Sequence, residues 1–224
     1  MEFQRARRPE QVEQRRRAIL ETACAMLRER SVAEISLREL SDRVGLAKSN
    51  VLRYFDSREA IFLEVLDREL GAWLDEVEES LGSLGPGGSV GGAEAVARAV
   101  AATLLGRPLL CELISGMAGV LERNIPVDFA RVFKRRANER KTRLANLVRS
   151  RVPVLDEAAA RHFAASVLVM TAGLWPHARP TDAVAQVMRE LGGPTAGELV
   201  REGLTEGLVN QLVGLVVRAR PARA

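Results

Sequence analysis

Apolar residues return three and four positions apart along nearly the whole chain, and no stretch alternates apolar with polar long enough to line one face of a strand. That period stripes one side of a helix, whereas on a strand it would scatter apolar side chains over both faces, so it predicts an all-α fold. In residues 13–29 the stripe is Ile19, Ala23, Met26 and Leu27. Arg15, Arg16, Arg17, Glu21 and Arg28 fall largely outside it. A helix of about 25 residues follows Asp56 and Ser57, striped from Ile61 to Leu81 and stopped by the glycines and Pro86 of residues 81–92. Further helices are expected over 93–105, 108–123, 127–152, 156–174, 182–191 and 198–220, each gap marked by proline or glycine.

Residues 36–55 carry the most specific local signal. Ser36 stands three positions before Glu39, the spacing at which a hydroxyl accepts the N3 amide and the carboxylate returns to the cap amide. The helix begun there reaches Val44, and Gly45 suits the left-handed turn that ends it. A short helix over 48–55 then points Val51, Tyr54 and Phe55 back at Leu40 and Val44, while small Ser41 permits close approach. Lys48, Ser49, Asn50 and Arg53 are left on the outward face, with Ala47 just ahead of them. A helix lying in a major groove would present those side chains to base edges and phosphates.

Charge singles out the same end of the chain. Residues 1–58 hold 13 Lys and Arg against 9 Asp and Glu, so their excess of +4 equals that of the whole chain, with 33 and 29. A basic excess confined to one segment attracts a polyanion by counterion release. Arg5, Arg7 and Arg8 extend it into an N-terminal arm suited to phosphates or a minor groove.

Residues 36–66, SLRELSDRVGLAKSNVLRYFDSREAIFLEVL, preceded by RRRAILETACAMLRER, resemble the tetracycline-repressor (TetR) family of regulators. The resemblance is carried by Ser36 opening helix two, the Gly45 turn, the Tyr54-Phe55 pair closing helix three, and Ser57-Arg58-Glu59 opening helix four. It implies phosphate contacts from Ser36 and Tyr54, a base or phosphate contact from Arg38, and residues 48–53 in the groove. It also implies a backbone anchor at Arg58. Many members have a phosphate-contacting tyrosine two residues before the Tyr54 position, where this chain has Leu52, which either packs or touches a thymine methyl. The expected division is a helix-turn-helix DNA-binding domain with its basic arm over 1–58 and a helical ligand-binding and dimerisation domain over 59–224.

In the family the last two long helices pair with their copies as a four-helix bundle, which implies 156–174 and 198–220 as the homodimer interface. On the last helix Leu204, Leu208, Leu212 and Leu215 with Val209, Val213 and Val216 form a band too wide for one seam, which a partner chain would cover. The alternative is burial within one chain. A pocket for a small apolar ligand is expected among the helices of 93–174, lined by Met117, Leu121, Phe129, Phe133, Met170 and Trp175, although such residues also make plain core. The run KRRANERKTR at 134–143 reads as a solvated helix face.

Other chemistries find no support. Cys24 and Cys111 form no paired motif, His162 and His177 have no ligand-spaced neighbour, and the 87–92 glycines lack the Lys-Ser/Thr of a phosphate loop. No metal, cofactor or enzymatic activity is expected. The apolar run 163–178 is broken by Pro176 and falls short of the roughly 20 residues of a membrane span. The N-terminus lacks the apolar core of a signal peptide. A cytoplasmic, ligand-released dimeric repressor is expected, with a DNA-binding regulator or a structural helical dimer that senses no small molecule as the alternative.

Overall fold

The computed structural model describes residues 9–85 and 89–219. The arm at Arg5, Arg7 and Arg8 lies outside the described residues. Among the described residues ten α-helices account for the fold and there is no strand. They are α1 (Pro9–Glu29), α2 (Leu37–Val44), α3 (Lys48–Val51), α4 (Arg58–Gly82), α5 (Val90–Leu105), α6 (Pro108–Gly116), α7 (Val127–Arg151), α8 (Glu157–Leu174), α9 (Asp182–Glu190) and α10 (Ala196–Ala219).

Helices α1 to α3 close over a small core of Ile19, Ala23, Met26, Leu40, Val51 and Phe55, all nearly or fully buried. Helix α4 packs on α1 and also on α5, α6 and α7, so one continuous helix runs from the N-terminal unit into the larger helical body. Its start is fixed by Ser57, whose hydroxyl accepts the Ala60 amide at 3.0 Å.

Helix α10 packs chiefly on α5 and then on α8. Leu204, Leu208, Val209, Leu212, Leu215 and Val216 are buried inside the single chain and Val213 is half-buried, so most of its wide apolar band is covered internally. The α8–α10 approach depends on glycine. A Cβ at Gly207 would fall 2.0 Å from the Met170 methyl carbon, and one at Gly203 would meet Leu174 at 3.6 Å. Still uncovered are Val169 on α8 at 70 % exposure and Val217 on α10 at 55 %. Helix α9 buries none of its residues.

The end of α6 departs from expectation. Regular helix stops at Gly116, and Met117–Leu121 continue as a π-helical turn, with the Glu122 amide reaching back to the Met117 carbonyl at 3.0 Å. Gly116 lies against Val32 in the connector between α1 and α2, which brings the helical body to the N-terminal unit a second time. Among the described residues no single helix is long and apolar enough to cross a membrane.

Candidate nucleic-acid interface and effector cavity

The turn between α2 and α3 follows from three local signals. Ser36 is extended and accepts the Glu39 amide at 3.2 Å, while the Glu39 carboxylate accepts the Ser36 amide at 2.8 Å, completing the capping box. Gly45 takes φ 73°, the left-handed region, and its amide and that of Leu46 bond the α2 carbonyls. Helix α3 is shorter than the sequence suggests: only Lys48–Val51 is regular, and Arg53 and Tyr54 donate to carbonyls three residues back. The tightening keeps Val51 and Phe55 inward.

Lys48, Ser49 and Arg53 are exposed and Asn50 is half-exposed, and among the described residues none of their side chains is held by a hydrogen bond or ion pair. Ala47 and Leu52 share that surface, Leu52 at 41 % exposure. Arg38 is exposed beside them, 3.9 Å from Asp42. Gln11, Gln14 and Arg15 of α1 line an open groove with Tyr54, a polar extension that the helical period of α1 alone did not single out.

Two expected DNA contacts are engaged inside the protein. The Ser36 hydroxyl, though exposed, donates to Glu39 at 2.8 Å. Arg58 turns inward, donating to the Ile35 carbonyl at 2.7 Å and to Glu59 at 2.8 Å, with its guanidinium over the Phe62 ring. It therefore ties the start of α4 to the connector before α2 rather than standing outward as a backbone anchor.

Arg16 organises the back of this surface. Its guanidinium bonds both Glu64 oxygens on α4 at 2.6 and 2.7 Å, donates to the Tyr54 carbonyl, and stacks 4.3 Å from the Phe55 ring centroid. One side chain thus joins α1, the end of the α3 segment and α4. The pair is partly solvated, with side chains 29 % and 22 % exposed, so Arg16→Ala should lower unfolding free energy by only about 1–2 kcal/mol. Arg16→Lys should recover less than half of that in urea titration, because a point charge cannot reproduce the fork. Full recovery by lysine would reduce the contact to simple charge.

Glu39 gives the interface a pH dependence. Hydrogen bonds from Arg30, at 2.8 Å, and then from Ser36 hold its carboxyl down from 4.5 to about 2. A folded-state value below the unfolded one stabilises fully above pH 4.5 and is lost as pH falls toward 2. Glu39→Gln keeps the capping geometry without the charge. The stability gap between wild type and this variant should therefore be widest above pH 4.5 and close toward pH 2 in denaturant titrations. A gap independent of pH would assign the effect to shape.

The helical body holds a mainly apolar cavity, of about 50 Å³, between α4 and α7 with α6 and α8 at its margins. Leu66, Leu70 and Trp73 form one wall, Phe133 and Leu144 the other, and Met117 closes the α6 end. Of the expected ligand contacts, Met117 and Phe133 meet here. Leu121 is buried in core, Phe129 is half-buried at the core's edge, Met170 packs against Gly207, and the Trp175 indole donates to Glu112 at 3.2 Å. The α4 wall was missed because its stripe reads as core whichever helix it faces.

The 134–143 run is less solvated than expected. Arg140 and Arg136 reach Asp67 at 3.2 and 4.0 Å, Arg143 reaches Asp75 and Glu78, and Lys134 reaches Glu122, so the run clamps α7 to its neighbours. Cys111 is buried core: its thiol donates to the Leu104 carbonyl at 3.3 Å, and burial pushes its pKa up to about 12.

Two family models match the chain: bacterial regulatory proteins of the TetR family over residues 19–65, and the tetracycline-repressor-like C-terminal domain over 67–219. No curated protein sequence matches it significantly. Similar solved folds include FadR of Thermus thermophilus, a TetR-family repressor in complex with lauroyl-CoA, at 17 % identity and TM-score 0.56, covering 93 % of this chain and 96 % of that one. FadR of Bacillus subtilis in complex with stearoyl-CoA is similar at 14 % identity and TM-score 0.53, covering 88 % and 97 %. The fatty acid degradation regulator FadR of Bacillus halodurans matches at 12 % identity and TM-score 0.53, covering 94 % and 97 %.

Proposed function

The chain belongs to the TetR family of bacterial transcriptional regulators, and from that premise we propose that it binds an operator as a homodimer and leaves it when a small ligand enters the helical body. Residues 1–58 act as the DNA-binding unit and 59–224 as the effector and dimerisation unit. The observation that carries the reading is the set Lys48, Ser49, Asn50 and Arg53, unpartnered among the described residues and standing outward over a buried core of Leu40, Val51 and Phe55. Those four side chains enter the major groove, with Ala47, Arg38 and Tyr54 at its edges and Gln11, Gln14 and Arg15 along the adjoining phosphates.

Two copies must sit about 34 Å apart, or a multiple of that, to engage successive turns of one duplex face. Helices α8 and α10 hold them there, where the exposed Val169 and Val217 would be covered by the second chain. The acyl-CoA complexes of FadR from Thermus thermophilus and Bacillus subtilis support an effector with an apolar chain for the same helical body. Release requires only that the ligand bind the released state more tightly than the operator-bound one.

A regulator that binds DNA without sensing is the second reading, favoured by the small cavity. Its volume of about 50 Å³ compares with roughly 300–1,000 Å³ for ordinary ligand pockets. Selection of operators from a random duplex pool, followed by mobility shift on the selected site and a scrambled one, tests the main reading. A single palindromic site bound far more tightly than the scramble is expected. Equal retention of both would leave a nonspecific binder.

A further inference from the structure

The α4–α7 cavity differs from plain core in what stands at its rim. Its walls are apolar, yet Arg140 and Lys141 both line it. Lys141 is half-buried and, among the described residues, makes no ion pair. A cation so placed keeps part of its hydration only while the slot is empty, and gains most from an anion arriving with whatever fills the slot.

Arg140 has a seat of its own on α4. Its guanidinium lies across Gly71, where a Cβ would fall 3.2–3.3 Å from it, and donates to Asp67 one turn earlier at 3.2 Å. The Asp67 side chain is only 15 % exposed and takes Arg136 as well, so it is the pin that holds α7 onto α4 beside the cavity. Three residues before it, Glu64 holds Arg16 and, through it, the carbonyl of Tyr54.

Because the cavity is far below ligand size as it stands, and close-packed walls yield little, anything entering must push its walls apart, α7 from α4 among them. An uncharged ligand would leave Arg140 or Asp67 without a partner on parting. An anionic one brings a replacement. We infer that the effector is an amphipathic anion, an apolar chain with a carboxylate or phosphate head, and that its head binds Lys141 and takes Arg140 from Asp67, releasing α4 from α7. This rests on the sensing function proposed above and specifies its chemistry.

Calorimetric titration of the full-length protein with dodecanoate, dodecyl phosphate, dodecanol and dodecyltrimethylammonium, below their micelle concentrations, tests it. Binding of one or both anions at least tenfold tighter than the alcohol and the cation is expected, and the better anion identifies the head. Lys141→Ala should weaken the anions roughly tenfold and leave dodecanol unchanged, whereas Asp67→Asn should tighten the anions, having removed their competitor. Dodecanol or the cation binding as tightly as the anions would overturn the head chemistry while leaving a sensor. Anion affinity unmoved by Asp67→Asn would overturn the displacement. If none of the four binds, the inference and the sensing role of this cavity fall together, with operator binding untouched.

Discussion

Replacing Trp73 with alanine should remove roughly 3–5 kcal/mol of stability, the range for deleting a large aromatic from a close-packed core. Trp73 is 1 % exposed in the middle of α4, and its indole donates to the Thr103 hydroxyl of α5 at 3.1 Å, which in turn donates to the Val100 carbonyl at 3.0 Å. Alanine leaves a void continuous with the α4–α7 cavity. For a chain of this size each kcal/mol moves the midpoint by about 2–4 °C, so a fall of roughly 6–20 °C is expected at fixed protein concentration. Thr103→Val separates the two contributions: it keeps the volume and strands the indole N–H, at a cost of roughly 1–3 kcal/mol. A Trp73→Ala loss below about 1 kcal/mol would mean that the α4 wall collapses freely into the space the indole leaves.

What the sequence disclosed and what it withheld divide along one line, the distance between the residues that cooperate. Ser36 with Glu39, Gly45, and Ser57 before Ala60 each act within a few positions, and the capping box, the left-handed turn and the start of α4 stand where the sequence puts them. The end of α6 is a partial exception, since nothing in MAGVL distinguishes a π-helical turn from one more α-helical one. Arg58 and Arg16 show the opposite case. Both look like surface cations among many, and only the fold brings Ile35 to one and Glu64 to the other, 23 and 48 positions away.

The same limit applies to the cavity and to α10. Arg140 becomes part of a pinned slot only when α4 supplies Asp67 and the notch at Gly71, 73 and 69 positions earlier. The α10 band is wider than one seam, and α5 and α8 cover most of it within the chain. Helical period tells how much of a helix wants burial; it does not tell what does the burying.

Asn50→Ala and Arg53→Ala should each weaken binding to the selected operator by roughly 1–3 kcal/mol if they read bases, and by up to about 6 together. Their positions make the test interpretable. Neither side chain is held by another group among the described residues, and Val51, which anchors the segment, is fully buried between them, so truncation should leave α3 seated. Arg presents a fork that matches guanine and Asn a pair that matches adenine, so a base reader loses affinity on the operator and little on scrambled duplex. A phosphate contact loses both alike and lowers the salt dependence of binding by about one counterion. Lys48→Ala is the internal standard for that second pattern, since a flexible ammonium suits phosphate well. If the Asn50 and Arg53 variants bind the operator as wild type does, then the outward face of α3 is not the surface that meets DNA, however open it stands.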